Sequence, residues 1–320
     1  MAENHDINEV TETAVTPEAQ APDAKTYSTK KDFMKKFKKK NRFMELWYRF
    51  LKNKPAVIGL ILFLTIVLLA ICAPLIADYN EVAIKIDMSN RFNAPFTENL
   101  LGTDEFGRDI LARIVHGARI SLTIGISAIT ISFLLGGALG SVAGFFGGKL
   151  DGWIMRAMDV FLCLPDMLLA IAIVAAFGAS TVNITLAIGL AFTPRMSRVV
   201  RAAVMSVRGN EYVEAARCIG AKNGRIITRH VLINCVGPII VQVTLYVANA
   251  ILTISALSFI GLGIEIPTPE WGNMLAEGRG AMRQFPHLVI APGLAIFFTI
   301  LSLNLLGDGL RDTLDPRLKQ

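Results

Sequence analysis

Two sets of residues in this sequence have the types and spacing to do chemistry. The first is Glu211-Tyr212-Val213-Glu214-Ala215-Ala216-Arg217-Cys218-Ile219-Gly220, followed by Ala221-Lys222-Asn223-Gly224 and a helical run to Leu232. Gly220 can take the positive φ that closes a helix, and Asn223 stands where its side chain caps the next one. The stretch therefore reads as helix, glycine turn, helix. Ala215 and Ala216 give the first helix a smooth face that another surface can approach closely, with the Glu214 charge beside it. On these residues alone it is equally a docking elbow or a solvated helical hairpin. The second set is Asp159 and Asp166, seven apart in an apolar stretch with Pro165 between them. Seven residues are nearly two helical turns, which puts both carboxylates on nearly one face. A carboxylate at the centre of a membrane helix costs about 2.5–3.5 kcal/mol and usually faces a partner or a wet cavity. The pair suits a proton relay, contact with a substrate amine, or a plain helix contact in which Asp159 pairs with Arg156. It lacks matching intramembrane bases, which weighs against the relay.

Other chemistries are missing. Gly147-Gly148-Lys149-Leu150 has neither the glycine spacing nor the hydroxyl of a phosphate-cradling loop. His5, His116, His230 and His287 form no ligand-spaced cluster, and Cys72, Cys163, Cys218 and Cys235 show no paired spacing. No Gly-x-Ser-x-Gly elbow is present. The sequence predicts no catalytic residue, no metal and no cofactor, and no ATP hydrolysis by this chain.

The elements that position these residues are membrane helices. Of 320 residues 53% are hydrophobic and only 18% charged, against about 25% charged in soluble domains. About 20 apolar residues cross a ~30 Å hydrocarbon core. Six stretches qualify: about 55–77, 120–146, 160–177, 182–204, 233–262 and 288–306. The fourth is the weakest, because Pro194 and Arg195 interrupt it, and it reads as a helix that leaves the bilayer and continues into water. A connecting loop of about 206–232 holds the Glu214–Gly220 elbow. The fold class expected is an all-α membrane protein of six transmembrane helices within a domain of 55–318. Residues 1–29 read as a disordered tail. Residues 30–54 read as a basic amphipathic helix lying in the membrane interface, with Phe33, Phe37, Met44, Trp47 and Leu51 along one stripe. Its basic first half also suits a solvated tail that only sets topology.

With both termini inside, 25 of the 32 Lys and Arg lie on the cytoplasmic side, as the positive-inside rule requires. The net charge of +6 is thus a topology signal rather than a nucleic-acid footprint. Gly136, Gly140 and Gly144, four apart in the second span, form a ridge for close helix approach, either within the chain or to a second subunit.

The spacing Glu-Ala-Ala, three residues, Gly, nine residues, aliphatic segment resembles the loop of ATP-binding-cassette (ABC) importer permeases. Glu214, Ala215, Ala216, Gly220 and Leu232 match; Ile233 replaces the usual proline and His230 occupies an aliphatic slot. Further blocks are similar to the dipeptide/oligopeptide/nickel permease group, in its C-type subunit: Leu101–Asp109, Leu257–Gly263 followed by Pro267–Leu275, and Gly307–Arg317. The resemblance runs from about Lys52 to Leu318 and implies the type I ABC importer permease fold in a bacterial plasma (inner) membrane. It implies a B-type permease partner, two cytoplasmic ATPase subunits docked on Glu214–Gly220, and an extracellular or periplasmic solute-binding protein. Asp104, Arg108, Glu270 and Trp271 would then lie at an external gate or binding-protein face; Asp159 and Asp166, on their own residues, belong to the translocation path or to a helix contact. Without the resemblance, Phe106–Asp109 reads as an ordinary turn before a short surface helix, and Pro267–Trp271 as a loop with an interfacial tryptophan. The solute implied is a di- or oligopeptide; a nickel chelate or other small solute is the alternative. An ion-coupled secondary transporter and a non-transporting scaffold are the readings from other classes.

Overall fold

The computed structural model describes residues 42–97 and 99–314. The tail expected at 1–29 and the first part of the interfacial helix lie outside them. The described residues are mostly helical, with no β-strand among them. The helices are α1 (Arg42–Lys52), α2 (Lys54–Ile76), α3 (Ile110–Phe146), α4 (Gly148–Leu162), α5 (Asp166–Phe177) and α6 (Thr181–Val207). After them come α7 (Glu211–Cys218), α8 (Asn223–Phe259), α9 (Trp271–Gly278) and α10 (His287–Leu314). The chain from Leu46 onward forms one unit, and of the unit before it only the first residues of α1 are described.

Asn53 separates α1 from α2; its side-chain oxygen accepts the Ala56 N–H at 3.3 Å, and its amide donates to Asp312 at 3.0 Å. Pro55 follows at the helix start, where its missing N–H costs nothing. Helix α2 carries no charge after Lys54 and exposes Ile58, Ile61, Leu64, Leu68 and Ile71, the pattern of a helix bathed in lipid. Its small residues Ala56 and Gly59 pack against α10 at Gly309 and Leu305.

Among the described residues, four helices are long and apolar enough to cross a membrane: α2, α3, α8 and α10. The third expected span is different. Its residues divide between α4 and α5, bent by 80° across Cys163–Pro165, so the pair makes at most one broken crossing. The fourth is one unbroken helix, α6, running through Pro194 to Val207. The turn suggested before Ile110 is present, with Gly107 N–H on the Asp104 carbonyl at 3.1 Å, but the short surface helix is not, because α3 starts at Ile110 and continues for 37 residues.

The central seam is α3 against α6. A Cβ on Gly136, Gly140 or Gly144 would lie 2.6, 2.3 or 2.8 Å from the carbonyl oxygens of Thr193, Ser197 and Arg201. The glycine ridge therefore serves packing within the chain, backbone against backbone. Gly137 does not join it and meets only Phe133 of its own helix. Ile184, Ile188, Phe192, Met196, Val200 and Val204 bury the inner face of α6. Helix α8 packs on α3, α6 and α10, and the short α9 sits on α8 and α10.

Candidate functional site

The elbow is built at the end of α6. Helix α7 starts after Asn210, whose carbonyl accepts the Val213 and Glu214 N–H groups. It ends at Ile219 and Gly220, where φ is +78°. Gly220 N–H reaches the Arg217 carbonyl at 2.9 Å and Ala221 N–H that of Ala216 at 3.1 Å, closing the helix as a left-handed glycine permits. Asn223 does not cap α8. Lys222 holds the cap position, no side chain bonds there, and Asn223 is already helical and exposed.

The two alanines part company. Val213, Ala216 and Ile226 are buried, anchoring the elbow to the bundle, and the Arg217 guanidinium lies 5.2 Å from the Phe145 ring at the end of α3. Glu214 and Ala215 face outward with Tyr212, Cys218 and Ile219, the last 84% exposed. The outward face thus joins apolar groups and one carboxylate on a helix tied at both ends, through α6 and α8, to the membrane bundle.

The acidic pair does not share a helix face. Asp159 lies in α4 and Asp166 is the first residue of α5, beyond the bend. Each pairs with an arginine of α6: Asp166 with Arg195 at 2.9 Å, and Asp159 with Arg198 rather than with Arg156. A third rung joins Asp151 to Arg201 through two hydrogen bonds of 2.5 and 2.6 Å. The bases expected to be missing are thus supplied by α6. The ladder holds the broken α4–α5 pair against α6 while the glycine seam holds α3 there, and Arg201 takes part in both, its main chain in the seam and its side chain in the ladder.

At the other end of the bundle, Asp104 and Arg108 belong to a buried ion cluster. Asp104 Oδ2 accepts from Arg108 Nε at 2.7 Å and Arg113 Nη1 at 2.8 Å; both arginines also reach Glu277 Oε2 at 2.9 Å. Both guanidinium groups are 1% exposed, so each must be neutralised in place. Asp104, Arg113 and Glu277 line a cavity of about 20 Å³ with Glu105, Ile110, Met274 and Leu288. Burial, reinforced by Glu277 and Asp104, raises the Glu105 carboxyl above its ordinary value.

Glu270 and Trp271 are buried as well. Glu270 caps α9 by accepting from Asn273 N–H at 3.0 Å and receives the Ser121 hydroxyl at 3.2 Å. Trp271 donates its indole N–H to the Ile114 carbonyl at 3.0 Å and lies against Gly117. Asp104, Arg108, Glu270 and Trp271 therefore do not form an exposed face in this conformation, and Trp271 is no interfacial anchor. They lock α9 and the segment before α3 to α3.

Comparison with known proteins fits this geometry. Residues 136–320 match the family of binding-protein-dependent transport system inner membrane components, and residues 41–95 match the N-terminal transmembrane domain of oligopeptide transport permease C. The chain belongs to this permease family. The dipeptide transport system permease protein DppC of Alkalihalophilus pseudofirmus is 46% identical over 268 residues, 84% of this chain and 88% of the relative. The di/tripeptide transport system permease protein DppC of Pseudomonas aeruginosa is 45% identical over 279 residues, 86% and 92% respectively. The glutathione transport system permease protein GsiD of Pectobacterium atrosepticum is 40% identical over 275 residues, 86% and 91%. The fold resembles the inward-facing MetNI methionine ABC transporter at 14% identity and a TM-score of 0.53, covering 63% of this chain and 97% of that one.

As a member of this family the chain is a multi-pass inner-membrane permease subunit of an ABC importer. The first match includes the α3–α6 seam, the ladder and the elbow; the second covers α1 and α2. Sequence reasoning missed Arg195, Arg198, Arg201, Arg113 and Glu277. The arginines carried a signal, spacing of three along one helix, that an interrupted span concealed. Glu277 carried none, since its partners lie 164 and 169 residues away.

Proposed function

We propose that this permease imports short peptides, di- or oligopeptides, as the C-type half of a heterodimer with a B-type permease. In this reading both termini are cytoplasmic and the chain crosses the membrane six times, with α4–α5 as one crossing and α6 as another. Two ATPase subunits dock on the outward face of α7, and a solute-binding protein delivers peptide to the opposite end. The chain does not itself hydrolyse ATP.

The observation carrying this proposal is the elbow. An exposed face of Tyr212, Glu214, Ala215 and Ile219 stands on a buried anchor of Val213, Ala216 and Ile226. ATP binding would draw the ATPases together and move this face, and α6 and α8 would carry the motion to the cavity. Nucleotide drives such a switch only by binding its two states unequally. The peptide class rests on the relatives' names; a nickel-chelate or other small-solute importer is the alternative within the family. Asp104, Arg108, Glu270 and Trp271 brace the outer mouth from within.

The test is ATP-driven uptake of labelled peptide by the reconstituted complex. Gly220→Pro, at a φ of +78° that proline cannot adopt, should abolish uptake and stimulated ATPase activity while the chain still inserts. Normal uptake by that variant refutes the coupling role. Uptake by this chain without any ATPase refutes the ABC reading in favour of ion-coupled transport.

A further inference from the structure

Helix α5 has 12 residues and joins α6 through a three-residue turn, Gly178–Ser180. At 1.5 Å per residue, Asp166 lies about 18 Å from the shared end of the two helices and Arg195 about 21 Å. In the six-crossing reading above, with that shared end at one face of the membrane, both depths fall inside a ~30 Å hydrocarbon layer. Yet the Arg195 side chain is 49% exposed, and its contact with Asp166 uses one terminal nitrogen. One helical turn further on, Arg198 and Asp159 are 54% and 52% exposed. Acyl chains cannot cover such groups without a cost of several kcal/mol, so this face of α5 and α6 meets water or the second permease rather than lipid. The third rung differs in its grip: Arg201 holds Asp151 with two nitrogens, and its guanidinium is less exposed than that of Arg195 or Arg198, while Asp151 is as buried as Asp166.

We propose that Asp166–Arg195 and Asp159–Arg198 are exchange sites for the charged ends of the transported peptide. The inference rests on the peptide-import reading above. A short peptide is a zwitterion, with a carboxylate at one end and an ammonium at the other. Two adjacent pairs of opposite charge match it: the carboxylate takes Arg195 or Arg198 while the ammonium takes Asp166 or Asp159. Each step replaces one ion pair by another of the same sign, so the peptide crosses the middle of the membrane without leaving an unpaired charge. The Asp151–Arg201 rung, doubly bonded and with the least exposed arginine, stays closed and keeps α4 on α6.

The experiment uses the complete transporter in detergent without its binding protein, with saturation-transfer NMR to detect weak peptide binding. The probes are a dipeptide, its C-terminal amide and its N-acetyl form. Wild type should prefer the dipeptide over the amide by about tenfold, the scale of one charge-assisted hydrogen bond. Arg195→Gln should erase that preference by weakening the dipeptide to the level of the amide, and Arg195→Lys should keep most of it. Asp166→Asn should erase the preference over the N-acetyl form. Equal weakening of all three probes, or an unchanged preference in Arg195→Gln, overturns the proposal and leaves the pairs as helix contacts or a seat for the second permease. So does absence of binding to a wild-type complex that imports peptide. A wild-type complex that imports no peptide with ATP overturns the peptide-import reading itself, and with it this inference.

Discussion

Single side chains decide most at the buried ion cluster. Glu277 Oε2 receives both Arg108 and Arg113. Glu277→Gln leaves two guanidinium groups sharing one carboxylate, and removing one partner of a buried ionic group costs about 3–5 kcal/mol. Thermal unfolding of the detergent-solubilised protein should show this as a large fall in melting temperature, whereas Lys85→Gln, which breaks an exposed pair with Glu81, should show almost none. Glu105 carries a pH dependence of definite sign. Burial holds its carboxyl above the ordinary value, so the folded protein favours the protonated form. The stability this confers is complete below the ordinary carboxylate range and is lost as pH rises through the raised value. Glu105→Gln, neutral at every pH, should unfold at a higher temperature than wild type near pH 7, with the two curves converging near pH 4.

Among the helices, the glycine seam is the most demanding contact. A Cβ at Gly140 would sit 2.3 Å from the Ser197 oxygen, and main chain cannot yield as a side chain does. Gly140→Leu should therefore cost more than the 1–3 kcal/mol typical of overpacking, measured as loss of folded protein after extraction. Gly152→Leu, at an unobstructed position, is the control. The seam was legible in the sequence as glycines four apart, because a helical period needs only local spacing. The elbow was legible for the same reason, down to the positive φ of Gly220. The break between α4 and α5 was not read from Pro165, since proline also occurs within helices, as Pro194 does in α6. Nor could local spacing reveal which way Ala215 and Ala216 face, or that Arg113, paired with Asp104, also meets a glutamate 164 residues away. Those facts come from tertiary packing.

For the whole molecule, docking at the elbow has a native reporter. Cys218 lies on the exposed side of α7, while Cys235 is buried between α8 and α6, with its thiol 3.2 Å from the Ala203 carbonyl. Cys218 is open to reagent and Cys235 is not, so Cys218 should react first with a polar maleimide in the isolated permease. In the assembled transporter Cys218 should be protected and Cys163 should not, read by mass spectrometry of the labelled peptides. Unchanged labelling of Cys218 would place the ATPases elsewhere. The contact of α3 with α6 has a mechanical corollary. Main chain pressed on main chain offers no rotamers to re-sort, so the two helices form a stiff slab. A shove delivered at one edge arrives at the other without being absorbed, and opening must be hinged beyond its borders, with the kink at Cys163–Pro165 the nearest place to bend.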